Sequence, residues 1–451
     1  MLSPPDADLV RRDPALPGLA VLLDPEAFVA ALGSVLPKAD GATAQITYIR
    51  YKPGTSCLVS FRLEEAGSAY DLHAKAYPLG AEDKLRKAHA ASSDGGRAEA
   101  DRLVWEDRGI TVALFPHDRD LPALARMGNP ETRRGLLRKL FPDRPGLWEG
   151  TPKTLRYKPE RRYVAQVSDP GGAAVTVKIY TEAGYSAAQL ATRTIASPRP
   201  LKLARLMGRS VRHRILAFQW IQGRPLREAL AMTGYDPGVM ERVGQALAVL
   251  HAQDPGGLPS LGRGTEADYL WASARALGFV CPHLSDRAHC LAARLAADLA
   301  GESLAGRPTH GDFHPDQVLL CDRRVAILDL DEAIRGDPAS DLGLFLAHLD
   351  RDTIEGLLPP GRVDPFRESL LQGYREVTSA PSPSRVDRYH AAGLLRRSLY
   401  PFRRHEAGWP DRTEAMLDRA ECILRALPAT RSGRTGAGSP EDGMRLVGQE
   451  P

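Results

Sequence analysis

The sequence contains few cysteines and no long apolar run. Its five cysteines are scattered and odd in number, which favours reduced thiols over a disulfide framework. The longest apolar stretches, such as LPGLAVLL near the N-terminus, are too short to span a bilayer. The first residues also lack the basic and apolar regions of a signal peptide. These absences predict a cytoplasmic protein without a membrane partner.

An excess of one charge is absent too. The chain has 60 Lys and Arg residues against 56 Asp and Glu residues, a net charge of +4. Such a balance gives no reason to expect nucleic acid as a partner. What is present is typical of a globular protein, with 43% apolar and 26% charged residues. A length of 451 residues is too great for one core, so we expect two or three domains.

Two distant segments share the same motifs in the same order. The alternating sequence ITYIRYKPGTSCLVSFRL predicts a β-hairpin, and TLRYKPERRYVAQVS predicts another. Arg-Tyr-Lys-Pro occurs at 50–53 and at 156–159, and a strand with Lys-x-Tyr follows at Lys75 and at Lys178. A coincidence between two hairpins is the simpler alternative. The shared order favours an internal duplication, in which Lys75 is a relic without a catalytic loop of its own.

The second half of the chain has a mainly helical pattern from Leu226 onward. A predicted strand pair, QVLLC and RVAILDLD, interrupts the helices. The segment CPHLSDRAHC holds two cysteines and two histidines, but its helical pattern lacks the tight turns of a zinc site. The tail from Pro428 has the composition of a disordered end.

The stretch THGDFHPDQVLL places polar side chains beside the predicted strand pair. Asp312 lies on a loop, Gln317 stands where the next strand begins, and Asp329 ends the strand after that. Because a hairpin brings these ends together, two carboxylates and an amide oxygen would converge, as Mg²⁺ prefers. Kinase sites use a loop Asp to orient the hydroxyl, a strand-end Asp to hold metal and an upstream strand Lys to bind phosphates. Lys178 lies upstream in the expected order.

These motifs resemble those of a known superfamily. HGDFHPDQ followed by ILDLDEAIRGDPASDLG is similar to the Brenner-type signature of the aminoglycoside phosphotransferase and choline kinase-like superfamily, and the helix LAVLHAQ precedes it as expected. The H-G-D-x-H-x-x-Q loop is similar to that of bacterial maltokinases and glucosamine kinases. The resemblance implies an α+β, bilobal protein-kinase-like fold with a β-rich N-lobe and a mostly helical C-lobe. The expected units are a duplicated, degenerate N-lobe-like cap (1–148), a nucleotide-binding N-lobe (149–225), a helical C-lobe (226–427) and a disordered tail (428–451).

The resemblance also implies roles for individual residues, with ATP and Mg²⁺ as cofactors. Asp312 would be the catalytic base, and Asp329 the principal Mg²⁺ ligand together with Gln317, which replaces the usual Asn and keeps its amide oxygen. Lys178 would bind phosphates. The other implied roles are an adenine hinge along Gln219, Trp220, Ile221 and Gln222, a brace for the loop from His310, and structural roles for Asp337 and Asp341.

Four features of the sequence depart from the family pattern or allow more than one role. No glycine-rich loop is present, and KPERR stands in its place, where Arg161 or Arg162 would contact phosphate. No convincing glutamate pairs with Lys178, since Glu182 is too close in sequence and the following helix carries none. His314 is interpreted as a hydrogen-bonding loop residue rather than a substrate contact. Asp331 is left open between a metal-site group and a cap.

The expected reaction is phosphoryl transfer from ATP to a hydroxyl of a sugar, an aminosugar or a related metabolite. The sequence after Asp329 leaves no room for the activation segment of a protein kinase, so a small-molecule acceptor is expected. Residues 385–434 hold eleven arginines against six acids, which disfavours a polycationic aminoglycoside. The aromatic residues Tyr400, Phe402 and Trp409 would either stack on a sugar or belong to the core. The alternatives are an aminoglycoside-type antibiotic phosphotransferase, a pseudokinase-like regulatory protein, and a metallohydrolase built on His310, Asp312 and His314.

Overall fold

The computed structural model describes residues 1–36, 41–65, 67–81, 83–86, 102–232, 234, 236–260, 263–300 and 305–427. The predicted disordered tail, 428–451, lies outside the described residues. In the part of the chain that is described, no helix is long and apolar enough to cross a membrane.

The chain begins with three short helices, and the first and third start at capping residues. They are α1 (Pro4–Arg12), α2 (Leu19–Leu23) and α3 (Pro25–Gly33). The side chain of Ser3 accepts a hydrogen bond from the backbone N–H of Asp6, and Asp24 caps α3 in the same way. A proline at the first position of α1 and of α3 has no N–H to leave unsatisfied.

A five-stranded antiparallel sheet, the first sheet, follows these helices. Its strands are β1 (Thr43–Lys52), β2 (Ser56–Glu65), β3 (Ser68–Ala76), β4 (Arg102–Trp105) and β5 (Ile110–Leu114), in the order β1-β2-β3-β5-β4. The turn between β1 and β2 lies where the sequence predicts it. Phe28 of α3 stacks on Phe61 of β2 with ring centroids 3.9 Å apart, which joins the helices to the sheet.

A second five-stranded antiparallel sheet comes after a pair of helices. The elements are α4 (Ala123–Gly128), α5 (Pro130–Leu140), β6 (Thr151–Lys158), β7 (Arg162–Ser168), β8 (Ala174–Tyr180), α6 (Glu182–Thr194), β9 (Leu201–Lys202), β10 (Leu206–Ser210) and β11 (Ile215–Gln219). The strand order of this second sheet is β6-β7-β8-β11-β10. Apolar residues of α4 and α5, such as Leu124 and Leu137, share a buried cluster with Val167 and Val177 of this sheet. The expected boundary at residue 148 would separate these helices from the sheet that they cover, and it stays a prediction.

The two sheets have the same strand order and the same register at their motif lysines. In the first sheet Leu58 lies between Arg50 and Lys75, and in the second Val164 lies between Arg156 and Lys178. The first strand of each sheet also contains one register shift. Lys75 and Lys178 therefore occupy corresponding positions, and we propose that the two sheets derive from one duplicated unit.

The remainder of the described chain is mainly helical, with short strands beside the second sheet. Its elements are β12 (Arg224–Pro225), α7 (Leu226–Leu230), α8 (Gly238–His251), α9 (Arg263–Val280), α10 (Ser285–Ala300), β13 (Arg307–Thr309), β14 (Val318–Cys321), β15 (Arg324–Ile327), β16 (Ile334–Gly336), α11 (Pro338–Ile354), α12 (Val363–Arg375), α13 (Pro383–Arg397), α14 (Tyr400–Arg403) and α15 (Trp409–Ala426). Strands β14 and β15 form the predicted hairpin. They belong to a small sheet of order β12-β14-β15-β9, and β13 pairs with β16.

Helix α11 lies at the centre of the helical region and packs closely on α13. The contact depends on Gly343, where a Cβ atom would lie 2.5 Å from the backbone nitrogen of His390. Phe402 and Trp409, considered above as sugar-stacking residues, are buried and pack against each other with ring centroids 5.1 Å apart. They belong to the core because their side chains fill the space between α14 and α15.

Candidate active site

The loop between β13 and β14 is held in place by buried polar contacts. Gly311 has a positive φ of 82°, and a Cβ there would lie 2.2 Å from the carbonyl oxygen of Glu332, so only glycine fits. Asp341 on α11 accepts hydrogen bonds from the backbone N–H groups of His310 at 2.6 Å and Gly311 at 3.0 Å. The Nε2 atom of His310 lies 2.7 Å from the carbonyl oxygen of Leu328, which ties the loop to the end of β15.

Two further polar residues support this arrangement from the helices. The Nε2 atom of His251 lies 2.9 Å from the same carboxylate of Asp341, and its Nδ1 atom lies 2.9 Å from the hydroxyl of Tyr374. Asp337 caps α11 by accepting a hydrogen bond from the backbone N–H of Ala339 at 2.9 Å, and Arg385 also bonds to it. His310, Asp337 and Asp341 thus form hydrogen bonds within the loop and at the start of α11, as supporting residues would. Their roles stay predictions.

Asp329 and Asp331 face two basic side chains of the second sheet. The ammonium nitrogen of Lys178 is 2.7 Å from Asp329 Oδ1 and 3.1 Å from Asp331 Oδ1. Arg162 Nη1 is 2.7 Å from Asp329 Oδ1 and also contacts Asp331. The hydroxyl of Tyr180 donates to Asp331 at 3.0 Å. Lys178 therefore has two acidic partners on the other side of the cleft, whereas Glu182 lies in the first turn of α6.

The charges in this cluster shift one another's pKa values. Burial opposes ionisation of Asp329, but Lys178 and Arg162 outweigh it and hold the pKa of this carboxyl well below its usual range. Burial and the neighbouring Asp329 raise the pKa of Asp331. Burial alone would lower the pKa of Lys178, but the two aspartates raise it. The lysine is therefore a cation at neutral pH, and Asp329 is an anion.

Gln317 and Asp312 lie on the loop beside this cluster. The amide nitrogen of Gln317 is 3.3 Å from Asp329 Oδ2. The two residues that the sequence predicts as Mg²⁺ ligands are therefore in contact. Asp312 forms an ion pair with Arg397 at the end of α13, and His314 Nε2 lies 3.8 Å from Asp312 Oδ2. Burial opposes ionisation of Asp312, but the positive charge of Arg397 is the main cause that lowers its pKa.

A cleft of about 460 Å³ opens between the second sheet and the helical region. Arg162, Lys178, Gln317, Asp329 and Asp331 line one end. The other lining residues include the segment predicted to form an adenine hinge, Gln219, Trp220 and Ile221, and apolar side chains of Val164, Ile195, Phe218 and Ile327. Of the two arginines expected near phosphate, Arg162 lines the cleft. Arg161 does not line it and is exposed on the turn, because the strand alternation that begins at Arg162 directs the two side chains apart.

The donor set of the cleft fits Mg²⁺ better than a transition metal. Among the described residues, no group of three or more His, Cys, Asp or Glu side chains is placed to hold a metal ion. The metallohydrolase alternative therefore lacks its ligand set in that part of the chain. Mg²⁺ needs fewer protein ligands, since one or two carboxylates with waters and phosphate oxygens complete its shell. Asp329 and Asp331 supply such oxygens within one cluster, and the Gln317 amide beside them, whose nitrogen faces Asp329, would offer its oxygen after rotating.

The turn between β6 and β7 is held by the first sheet. Glu160 at its tip has a positive φ of 58° and bonds with both carboxylate oxygens to Lys75, at 2.8 and 3.0 Å. Arg50 contacts the same carboxylate. Asp118 accepts hydrogen bonds from the backbone N–H of Glu160 at 2.8 Å and from the hydroxyl of Tyr157 at 2.9 Å. The ends of this turn carry Lys158 and Arg162, and Arg162 Nη1 lies 2.7 Å from Asp329 Oδ1.

Sequence reasoning missed several residues of the site. In the sequence Arg397 is one of the eleven arginines of residues 385–434, and no local pattern shows that α13 ends beside Asp312. Tyr180 stood within the repeated Lys-x-Tyr motif, which was the available signal for its place beside Lys178. His348 stacks on His314 with ring centroids 4.5 Å apart, and it had no signal in the sequence.

The chain is similar to one known protein family and to several solved structures. The chain matches the model of the phosphotransferase enzyme family over residues 150–389. No curated protein sequence matches it. A macrolide 2'-phosphotransferase from Brachybacterium faecium is 20% identical with a TM-score of 0.40, covering 64% of this chain and 98% of that chain. A choline/ethanolamine kinase family protein from Mesorhizobium loti is 18% identical with a TM-score of 0.45, covering 66% and 95%. A putative fructosamine-3-kinase from Thermobifida fusca is 20% identical with a TM-score of 0.42, covering 65% and 98%.

The family match confirms the predicted superfamily, the kinase-like fold and the class of enzyme. The antiparallel second sheet and the mainly helical region after it are consistent with this fold. Because the match extends over more than half of the chain, the protein belongs to the phosphotransferase enzyme family and is a small-molecule phosphotransferase.

Proposed function

We propose that this protein transfers the γ-phosphoryl group of ATP to a hydroxyl of a sugar, an aminosugar or a related metabolite. The observation that carries the proposal is the contact of Gln317 with Asp329 at one end of a cleft that also contains Lys178, with His314 lying between Gln317 and Asp312. A protein that only bound a ligand would not need a loop aspartate, an amide and a strand-end aspartate together. The pseudokinase alternative is therefore disfavoured.

Asp312 would orient the acceptor. Its ionised carboxylate would accept a hydrogen bond from the acceptor hydroxyl and point the oxygen at the γ-phosphorus. The lowered pKa of Asp312 suits this positioning role, because the group stays ionised at neutral pH. Its contact with Arg397 fixes the carboxylate, so that the reacting groups meet in a narrow range of orientations.

Lys178 and Arg162 would bind the phosphates of the nucleotide. Both groups are cations next to the aspartates, and a polyphosphate in the cleft would share them. Asp329, Asp331 and Gln317 would hold Mg²⁺, which neutralises charge on phosphate oxygens when it is bound. The backbone from Gln219 to Ile221 would hydrogen-bond the base at the other end of the cleft.

The test is Mg²⁺-dependent ADP formation from ATP with a panel of neutral sugars, aminosugars, sugar acids and aminoglycosides. Acceptor-dependent turnover is expected with at least one class, and Asp312→Asn is expected to lower it by about two orders of magnitude or more. Asp322→Asn is the matched control, since Asp322 is exposed on the turn between β14 and β15. Turnover that survives in Asp312→Asn would contradict the assignment of Asp312. Failure of every acceptor would contradict the proposed function.

A further inference from the structure

The first sheet has a cavity of its own, the first-sheet cavity, on the face that corresponds to the cleft of the second sheet. Its volume is about 490 Å³, close to that of the cleft. None of the described residues lines both cavities. The strand registers place four lining residues of the first-sheet cavity at positions equivalent to lining residues of the cleft. These pairs are Ser56 and Arg162, His73 and Thr176, Lys75 and Lys178, and Ala113 and Phe218.

The first-sheet cavity is lined by more basic than acidic side chains. Among its described lining residues, five are basic and two are acidic, namely Lys52, Lys75, Lys84, Arg102 and Arg119 against Asp120 and Glu160. Glu160 is already paired with Lys75 and with Arg50. One further carboxylate therefore stands against four further basic side chains in this lining. A concave surface with such an excess of positive charge attracts anions.

Two of the basic groups are brought together by the ring of Tyr77. The ammonium nitrogens of Lys75 and Lys84 lie 5.3 and 5.4 Å from its centroid, as in cation–π contacts. An ammonium group has three N–H donors, and the two carboxylate oxygens of Glu160 accept two of those of Lys75. The Lys75 side chain is 19% exposed, and Lys84 is exposed. A ligand in the cavity therefore has access to both ammonium groups.

The acidic groups distinguish the first-sheet cavity from the cleft. In the cleft, the carboxylates of Asp329 and Asp331 both contact Lys178. Lys75 instead contacts the carboxylate of Glu160, and both oxygens of that group bond to the lysine. The carboxylate oxygens that would hold Mg²⁺ in the cleft thus have no equivalent beside Lys75 among the described lining residues. Basic side chains must therefore meet the charge of a ligand directly, which favours a phosphate group over a Mg²⁺–nucleotide complex.

We propose that the first-sheet cavity binds a phosphate-bearing small molecule at a second site, separate from the nucleotide cleft. Lys75, Lys84 and Arg102 bind the phosphate, and the volume of the cavity accommodates a small organic group attached to it. Inorganic phosphate, a sugar phosphate and a nucleoside monophosphate share this chemistry. The site does not depend on the proposed phosphotransfer, because its lining residues belong to the first sheet and its surroundings and not to the loop of Asp312.

Calorimetric titration of the full-length protein tests the second site. The nucleotide cleft is first saturated with Mg²⁺ and a non-hydrolysable ATP analogue, and inorganic phosphate, glucose 6-phosphate, AMP and glucose are then titrated separately. We expect at least one phosphate compound to bind and glucose to bind more weakly. The double variant Lys84→Met with Arg102→Met should weaken phosphate binding by at least about tenfold. Lys84→Met alone should weaken it less, and this substitution of an exposed residue guards against a double variant that does not fold.

Arg62→Met is the matched control. Arg62 is an exposed arginine on β2 of the same sheet, pairs with Asp71, and does not line the cavity. Its substitution should leave phosphate binding unchanged, and melting temperatures of all variants exclude misfolding. Tightest binding of inorganic phosphate, glucose 6-phosphate or AMP would support the site and identify the source of the phosphate.

A second series without the ATP analogue separates the two cavities. Lys178→Met removes a cation of the nucleotide cleft and should leave phosphate binding unchanged, whereas the double variant should again weaken it. Weaker binding in Lys178→Met with normal binding in the double variant would place the phosphate in the nucleotide cleft and overturn the inference. Absence of binding by every phosphate compound in both series, or equal binding by the wild-type protein and the double variant, would also overturn it.

Discussion

At the scale of single residues, Lys178 is enclosed by acidic groups that belong to a distant part of the chain. The carboxylates of Asp329 and Asp331 hold its ammonium group in the cleft, and Phe218 lies below it with the nitrogen 5.6 Å from the ring centroid. This arrangement keeps the lysine charged in spite of burial and keeps its nitrogen aimed at the cleft. The residue is therefore fixed before any ligand arrives.

Replacing Lys178 with methionine should weaken nucleotide binding by about tenfold or more. The substitution removes a cation that would contact phosphate and leaves the two aspartates to repel it. Isothermal titration with an ATP analogue and Mg²⁺ measures the effect. Lys153→Met, at an exposed position on β6, is the control. Equal affinities for Lys178→Met and the wild-type protein would show that Lys178 does not bind the nucleotide.

Lys158 should give the reaction an alkaline limit. Burial, Arg156 and Arg162 lower its pKa to about 8, so the side chain loses its charge above that pH. If the charged form assists phosphate binding, kcat/KM for ATP falls as pH rises through about 8. Lys158→Arg should move this limit to higher pH, because a guanidinium stays protonated. A profile that is flat above that pH, or an unchanged limit in the arginine variant, would exclude this role.

At the scale of elements, the turn between β6 and β7 connects the two sheets. It carries Lys158 and Arg162 at its ends, and Lys75, Arg50 and Asp118 hold the residue at its tip. Lys75 occupies the position in the first sheet that Lys178 occupies in the second. It therefore forms a contact between the two sheets. A short turn moves as one unit. The contacts that hold Glu160 at its tip therefore also set the directions of the Lys158 and Arg162 side chains at its ends.

Lys75→Met should loosen that turn and weaken ATP binding by several-fold to about tenfold, since small misplacements of charged groups have large effects. Hydrogen exchange of residues 156–164 should become faster. Lys84→Met is the control, because Lys84 lies in the same region over Tyr77 and does not contact Glu160. The double variant that combines Lys75→Met with Glu160→Gln should weaken ATP binding little more than either single variant does. Additive effects, or unchanged exchange, would contradict the coupling.

The contact between α11 and α13 makes a separate prediction about stability. Gly343→Ala would place a Cβ atom 2.5 Å from backbone atoms of His390 and Tyr389, which cannot rotate away. We expect a loss of about 1–3 kcal/mol in the free energy of unfolding. Gly135→Ala, on α5 with open space around it, should instead be neutral or stabilise slightly. Urea denaturation measures both, and equal stability of the two variants would contradict the close packing.

At the scale of the whole molecule, the N-terminal region shares a core with the C-terminal helices. One buried cluster includes Leu9 and Phe28 together with Leu277, Leu395 and Leu417. The helix pair before the second sheet belongs to a different cluster. The sequence predicts the individual elements, yet it does not show which of them pack together, because apolar periodicity identifies a buried face and not its partner.

The same limit explains which parts of the site were predictable. Asp312, Gln317 and Asp329 lie within one short stretch, and a single hairpin brings Gln317 beside Asp329. The place of Lys178 in the site follows from the order of the motifs along the chain. The pairing of Lys178 with Asp331 and the ion pair of Arg397 with Asp312 depend on contacts between distant elements. No local spacing carries that information.

The most direct test of the account follows labelled phosphate from γ-labelled ATP to the acceptor and measures nucleotide binding in the same samples. The account predicts that the wild-type protein transfers the label to the acceptor. The Asp312→Asn variant should bind ATP with similar affinity but transfer about a hundredfold less label. Equal transfer by the two proteins, or label released only as inorganic phosphate with every acceptor, would contradict the claim that this site phosphorylates a hydroxyl.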